Sequence, residues 1–517
     1  LTGICPVVIN VAVVNTITVR ATPAVLRSIA ATPGVARVQA SRVFHKSNAV
    51  SDQFTGVPSA WKYAGATGAG IKVAVIDDGI DYTHANFGGP GTAAAFGSNN
   101  STTIEPGTFP TAKVVGGYDF VGDNYDASAD QPGETTTPSP DPDPLPCGEH
   151  GSHVAGSVAG FGVTAAGAMY TGTYDDTTLA NQFSVPPGAA PKATLLAYKV
   201  FGCDGSVDDF IIVAAIDRAV TDGANVINMS LGAPFGNAEN VEAMAIDNAV
   251  NANVLVVAAA GNEGPNAYMT GSPATSNKAL SVAAVDVAYS TLPTFKITLA
   301  SGAPIAAQNS NGAAVPGPIT GELVNLGLGC AADDAAAAPI YAAAAGKIAV
   351  TTRGTCARVD RARWGQAAGA LAVIMINDSP GLPPVGGPIA GVTIPFLGAS
   401  QADGAWLTAG GTATIAMGDP IPNPSYKRFA SFTSNGLRYG DSALKPDIAA
   451  PGVAILSTFA GTGNQGVRIS GTSMASPHTA GIAALVRQTH PTLTPIAIKG
   501  ILMGTAAAED IGNYTPR

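Results

Sequence analysis

Long apolar runs are missing from this sequence. The longest, such as Val254 to Ala260, are strand-sized and fall far short of the roughly 20 residues that a membrane-spanning helix needs. No spanning segment is therefore expected. Charge is also scarce: 12% of the residues are Asp, Glu, Lys or Arg, and their balance is -10. Such a chain offers no basic face to neutralise phosphates, which argues against nucleic acid and anionic membranes as partners. Cysteines are few, at Cys5, Cys147, Cys203, Cys330 and Cys356, and none stands in a CxxC or Cys/His spacing, so no zinc knot is expected. Two pairs and one leftover would suit an oxidising compartment, with isolated buried thiols as the alternative. The first residues hold no basic stretch followed by an apolar signal core, and Leu1 opens mid-pattern, as in a trimmed chain.

What is present is ample material for a core. The 517 residues are 46% hydrophobic, with 62 glycines and 38 prolines, which predicts a loop-rich globular protein of two or three folding units. Asn10 to Arg20 alternates like a strand, Pro23 to Ala31 reads as a short helix, and Ala36 to Phe44 alternates again, a small β-α-β unit followed by a linker from His45 to Gln53. Strands are then expected at Lys72 to Ile76, Thr194 to Val200, Val226 to Ser230 and Val254 to Ala260. Helices are expected from His150, at Asp208 to Asp222, at Val241 to Asn251 and at Thr472 to Gln488. This alternation predicts an α/β fold, a doubly wound and mostly parallel sheet. The proline and aspartate run Pro138 to Pro146 reads as surface loop. From Pro293 to Pro424 the composition turns to alanine, glycine and short strands, which predicts a β-rich insert splitting the main domain.

Four positions could carry chemistry. Asp77 follows the strand Lys72 to Ile76, at the carboxyl edge where doubly wound sheets place their crevice. Its neighbours Asp78 and Asp81 read as solvated acids or cation ligands. HGSHVAGSVAG opens a helix with His150 and His153, either of which could be a base; the His-x-x-His spacing could also bind a metal, but no third ligand is evident. Ser473 stands at the mouth of an apolar helix whose first N–H groups favour developing negative charge, although a plain N-cap serine is an equal reading. Asn262 ends a strand where its amide could donate to an oxyanion, or could merely form a turn.

Read in order, VAVIDDGID, HGSHVAG, SLG, AAAGNEG and GTSMASPH resemble the subtilase family of serine peptidases from about Ser51 onwards. The order Asp, His, Ser is that of subtilisin; α/β-hydrolases run Ser, Asp, His and carry GxSxG, which fails here at Ala475. The resemblance implies Asp77 as orienting acid, His150 as general base, Ser473 as nucleophile and Asn262 as oxyanion donor. It implies an extended polypeptide substrate clamped between Ser230, Leu231 and Gly232 on one edge and Gly202, Cys203, Asp204 and Gly205 on the other. Ala258, Ala259 and Gly261 would line a pocket for a large apolar side chain. A Cys147–Cys203 disulfide would tie one substrate edge to the histidine's helix, and Cys330 and Cys356 would pair within the insert.

By the same resemblance, residues 1–47 are the C-terminal part of a propeptide that inhibits the enzyme, residues 48–290 and 425–517 form the peptidase domain, and residues 291–424 form a protease-associated domain. A secreted monomer, extracellular or periplasmic, is expected. The chemistry requires no cofactor; a structural calcium is left open, with no ligand named. Ser152 replaces the usual threonine of HGTH, and Asp78 stands where serine or threonine is common. A catalytically silent binding protein of this fold is the alternative.

Overall fold

The structure, a computed structural model, describes residues 7–11, 16–19, 47–129, 133–203, 205–288, 290–292, 294–299, 304–309, 317–331, 334–354, 358–378, 381–383, 389, 392–418, 421–423, 425–507 and 511–512. The chain divides into two units, residues 45–290 with 423–517, and residues 1–44 with 291–422. The expected helix Pro23 to Ala31 and strand Ala36 to Phe44 lie outside the described residues. Where one strand from Asn10 to Arg20 was expected, two short antiparallel strands stand at Val7–Val11 and Thr16–Val19; period-2 alternation does not register a reversal of direction.

The larger unit is built on a parallel sheet. Its strands are β1 (Lys72–Asp77), β2 (Val114–Asp119), β3 (Thr194–Lys199), β4 (Val226–Met229), β5 (Leu255–Ala259), β6 (Leu280–Asp286), β7 (Arg428–Phe429) and β8 (Ile448–Pro451). Their order is β7-β6-β5-β4-β1-β3-β2, with β8 also parallel to β6 and only β7 antiparallel. Its helices include α1 (His150–Ala159), α2 (Asp209–Thr221), α3 (Val241–Asn251) and α4 (Thr472–Thr489); the stretch His45 to Gln53, expected as linker, is helical over Ser47–Phe54. The central strands read as unbroken apolar runs because both their faces are covered. Val73, Val75, Leu195 and Val257 pack with Val154 and Val158 of α1 and Met474 and Ala484 of α4. Their alternates Ala74, Ile76, Leu196 and Ile227 pack with Ile212 and Ile216 of α2 and Ile246 of α3.

The chain lays β2 and β3 on one side of β1, then crosses to place β4 and β5 on the other. The order therefore reverses at β1, and the crevice outside its carboxyl end is the place where such sheets bind ligands. Asp77 is the last residue of that strand. The segment from Pro138 to Pro146 is not all surface loop: Asp143, Pro144, Leu145 and Pro146 are buried, and the Pro144 carbonyl accepts the Ile80 N–H at 3.0 Å just beyond Asp77. Gly79 adopts φ 110°, and a Cβ there would lie 2.5 Å from that same carbonyl oxygen, so only glycine fits the turn.

In the smaller unit, strands Thr294–Leu299, Ile305–Asn309, Phe396–Ala399, Ala372–Ile376, Ile348–Thr352, Ile319–Asn325 and Gly411–Met417 close into a barrel in that order. Phe295, Ile297, Ile348, Val350, Ile374, Leu397 and Ile415 fill it. Cys330 is disulfide-bonded; Cys356 and Cys5 lie outside the described residues.

Candidate active site

Asp77 is 1% exposed and accepts a hydrogen bond from His150 Nδ1 at 2.7 Å on the same oxygen that takes the Asp78 N–H at 2.9 Å. Burial alone would lower the imidazole pKa; the Asp77 charge and hydrogen bond, joined by the Asp78 and Glu149 charges, outweigh it and carry the value above the ordinary range. Nδ1 is the nitrogen bound to Asp77, and the ring lines the cleft. His153, one turn on, is buried, and its Nε2 is bonded to the carbonyls of Ile455 and Val467 at 2.9 and 3.2 Å. Burial drops its pKa to about 3, so it stays neutral and structural. The two rings serve different partners and do not converge on a common ligand.

Asp78 and Asp81 are not solvated acids. Asp78 accepts the His150 N–H (3.1 Å) and the Gly151 N–H (2.6 Å). Asp81 accepts Thr83 N–H and Oγ1–H on one oxygen and the Gly461 N–H at 3.0 Å on the other.

Ser473 is the second residue of α4. Pro477, four residues on, has no N–H to return to the Ser473 carbonyl. That carbonyl instead accepts the Ser230 hydroxyl at 2.8 Å, while Asn228 bonds Ser230 and Ser476 at 3.0 and 2.8 Å. Proline thus frees the group that pins the serine's turn to the end of β4. The Ser473 hydroxyl itself donates to the Ser230 carbonyl at 3.1 Å rather than to His150. Asn262 Oδ1 accepts both the N–H and the hydroxyl of Thr472, at 2.9 and 3.0 Å. With Oδ1 engaged, Nδ2 is the amide's free donor. A Cβ on Gly471 would stand within 3.7 Å of both the Ser473 N and the Asn262 Nδ2, so glycine keeps the space before these two donors clear.

The sequence matches the family profile described as the subtilase family over residues 68–515. The chain belongs to the subtilase family.

Among curated relatives, it is 33% identical over 478 residues to the minor extracellular protease Vpr of Bacillus subtilis, covering 88% of this chain and 50% of that protein. It is 30% identical over 505 residues to the PIII-type proteinase of Lactococcus lactis subsp. cremoris, covering 88% and 24%. It is 29% identical over 397 residues to the subtilisin-like protease SBT1.3 of Arabidopsis thaliana, covering 70% and 48%. The chain thus spans about half or less of the length of these relatives.

In this subtilase one cleft brings together Asp77, His150, Asn262 and Ser473 with Gly202, Cys203, Gly205, Ser230, Leu231, Gly232, Ala259 and Gly261. Ala258 is elsewhere: strand alternation turns it into the core against α2 and α3, the face opposite to α4. Asp204 lies outside the described residues. Cys147 and Cys203 are disulfide-bonded, with Cα atoms 5.1 Å apart, joining the turn before α1 to the Gly202–Gly205 edge.

The cleft also holds Phe201, Asp78, Glu263 and Thr472, which the sequence reading did not place there. Glu263 was legible as the residue after Asn262, yet what fixes it is remote: the Ser434 hydroxyl donates to its carboxylate at 2.8 Å and accepts its N–H at 3.1 Å. The Asp78 carboxylate accepts backbone N–H groups at the start of α1, and Thr472 gives its N–H and hydroxyl to Asn262; such partners, remote in sequence, leave no mark in a residue pattern.

Proposed function

We propose that this subtilase is a secreted serine endopeptidase working through Asp77, His150 and Ser473, with Asn262 and the Ser473 N–H as oxyanion donors. The observation that carries the reading is the 2.7 Å Asp77–His150 bond inside the same cleft as Ser473 and Asn262. The Ser473 hydroxyl turns from the Ser230 carbonyl to His150 Nε2 when substrate enters, and attacks the scissile carbonyl carbon as its proton passes to the ring. Asp77 stabilises the imidazolium, which then protonates the leaving amine; water repeats the sequence on the acyl-enzyme. Side chains supply every proton transfer, so no cofactor is required for the chemistry.

An extended polypeptide backbone would lie between Ser230–Gly232 and the Gly202–Gly205 edge. Ala259 and Gly261 leave room for a large apolar side chain before the scissile bond. The disulfide and the extracellular relative in Bacillus subtilis support secretion, and no described helix is long and apolar enough to cross a membrane. The barrel unit is proposed as a protease-associated domain, and residues 1–47 as propeptide.

A fluorophosphonate probe tests the reading. Label should map to the Ser473 peptide alone; a folded sample that takes no label even after the residues before Ser51 are removed would overturn it and favour a silent binding protein. A second expectation concerns the disulfide. Reducing it, or replacing Cys147 and Cys203 by serine, frees a loop of 56 residues, worth on the order of 4 kcal/mol in chain entropy. Thermal unfolding should come several degrees lower, and KM should rise more than kcat falls, because the loosened element is a substrate edge. An unchanged KM would remove that edge from substrate binding.

A further inference from the structure

Helix α1, which begins with His150, is held at its two ends by buried charges of opposite sign, neither of which belongs to the triad. At its start, Glu149 occupies the N-cap position but makes no side-chain cap. The orphan N–H groups of the first turn need acceptors. Asp78, 9% exposed, supplies both oxygens, one to His150 N–H and one to Gly151 N–H. The fit is close: a Cβ on Gly148 or Gly151 would lie 2.3 or 2.6 Å from an Asp78 oxygen. Asp77 and Asp78 thus divide one histidine between them, the first taking its ring and the second its backbone.

At the other end, Lys113 is 2% exposed and donates to the carbonyls of Ala159, Pro191 and Ala193 at 2.8, 2.7 and 2.9 Å. Its ammonium also lies 3.8 Å from the Phe161 ring centroid. Ala159 is the last residue of α1, and Ala193 directly precedes β3. Among the described residues no carboxylate pairs with Lys113. The anion sits at the positive end of the helix dipole and the cation at the negative end, the arrangement that stabilises both.

Resting on the peptidase reading above, we propose that Asp78 and Lys113 are positioning residues for His150, clamping the two ends of α1 so that the imidazole is held in register with Asp77 and Ser473. Burial works against both charges, and against Asp78 so does the Asp77 charge beside it, raising that carboxyl to about 7; Lys113 is lowered to about 7. A merely stabilising role would be better served by apolar packing at such sites.

The two ends have separable signatures. The titratable groups facing the His150 ring are Asp77, Asp78, Glu149 and the neutral His153, and those facing Asp78 are Asp77 and His150. Asp78→Asn removes a charge that helps the ring keep its proton and one of two acceptors. The acid limb of kcat/KM should move down by about half a pH unit or more, and kcat should fall about tenfold with KM within about twofold. Lys113→Met stands about 15 Å away along the helix axis; it should lower kcat with the acid limb unmoved, and should speed amide exchange in the last turn of α1.

Both variants with wild-type kcat, and Asp78→Asn with the wild-type acid limb, would overturn the proposal even if their melting temperatures fell. NMR titration of the His150 ring needs no turnover: a lower pKa in Asp78→Asn supports the clamp and an unchanged one overturns it, even if the protein should prove to cleave nothing. Should Asp78→Asn not fold, Asp78→Ser keeps one acceptor without the charge and makes the same reading.

Discussion

Replacing Ser473 or His150 by alanine should each lower kcat by about 10⁶-fold, and replacing both should cost hardly more than either alone; the magnitude is carried over from subtilisin itself. The non-additivity follows from the chemistry. Without His150 the Ser473 hydroxyl stays protonated and is no nucleophile, and without the serine the base has no proton to take. Stability should separate the two variants. Ser473→Ala deletes a hydroxyl whose one bond is to the Ser230 carbonyl, so its melting temperature should stay close to that of the parent. His150→Ala leaves the Asp77 carboxylate buried with only the Asp78 N–H for company, a loss of about 1–3 kcal/mol. Kinetics on a peptide substrate with calorimetry on the same samples would read both effects. A His150→Ala enzyme within tenfold of the parent would place the base elsewhere; His153, locked between two carbonyls, would be a poor substitute.

How far the site could be read beforehand depended on whether a residue's role is local. Strands buried on both faces announce themselves as continuous apolar runs, and an acid directly after such a run must lie at the sheet's carboxyl edge, so Asp77 could be placed from sequence. The choice between His150 and His153 could not be made on physical grounds alone. It turns on what stands opposite each ring, Asp77 for one and the carbonyls of Ile455 and Val467 for the other, groups far away in sequence. Asp78 was misjudged for the same reason: an acidic pair in a turn usually faces water, and only the folded chain brings the start of α1 against it. Proline had two meanings that composition blurs. In Asp143 to Pro146 it belongs to buried chain beneath the catalytic turn; at Pro477 its missing N–H creates an acceptor for Ser230. Ala258 and Ala259 are alike in sequence, and the strand's alternation sends one to the core and the other to the cleft.

Asn262 Nδ2 is expected to donate in the transition state and not to the bound substrate, and replacement of Asn262 should show it. Asn262→Leu keeps the volume and removes the donor; kcat should fall by about 10²–10³-fold, the value known for the corresponding change in subtilisin, with KM within about twofold. KM holds because the oxyanion does not yet exist in the bound substrate. Asn262 has a second task, however, since its Oδ1 accepts the N–H and hydroxyl of Thr472, next to the nucleophile. A loss in Asn262→Leu could therefore reflect a displaced serine instead of a missing donor. Thr472→Val separates them. It removes the hydroxyl's bond to Oδ1 and its acceptance of the Gly261 N–H but leaves Nδ2 in place, so kcat should fall by no more than about tenfold, well short of the loss in Asn262→Leu. Asn262→Asp makes the converse change: the acceptor stays, the donor goes, and a negative charge enters beside the developing one, so its loss should exceed that of Asn262→Leu. If Thr472→Val proved as damaging as Asn262→Leu while Asn262→Asp stayed active, the asparagine would be an anchor for the start of α4, and the oxyanion would depend on the Ser473 N–H and the dipole of that helix.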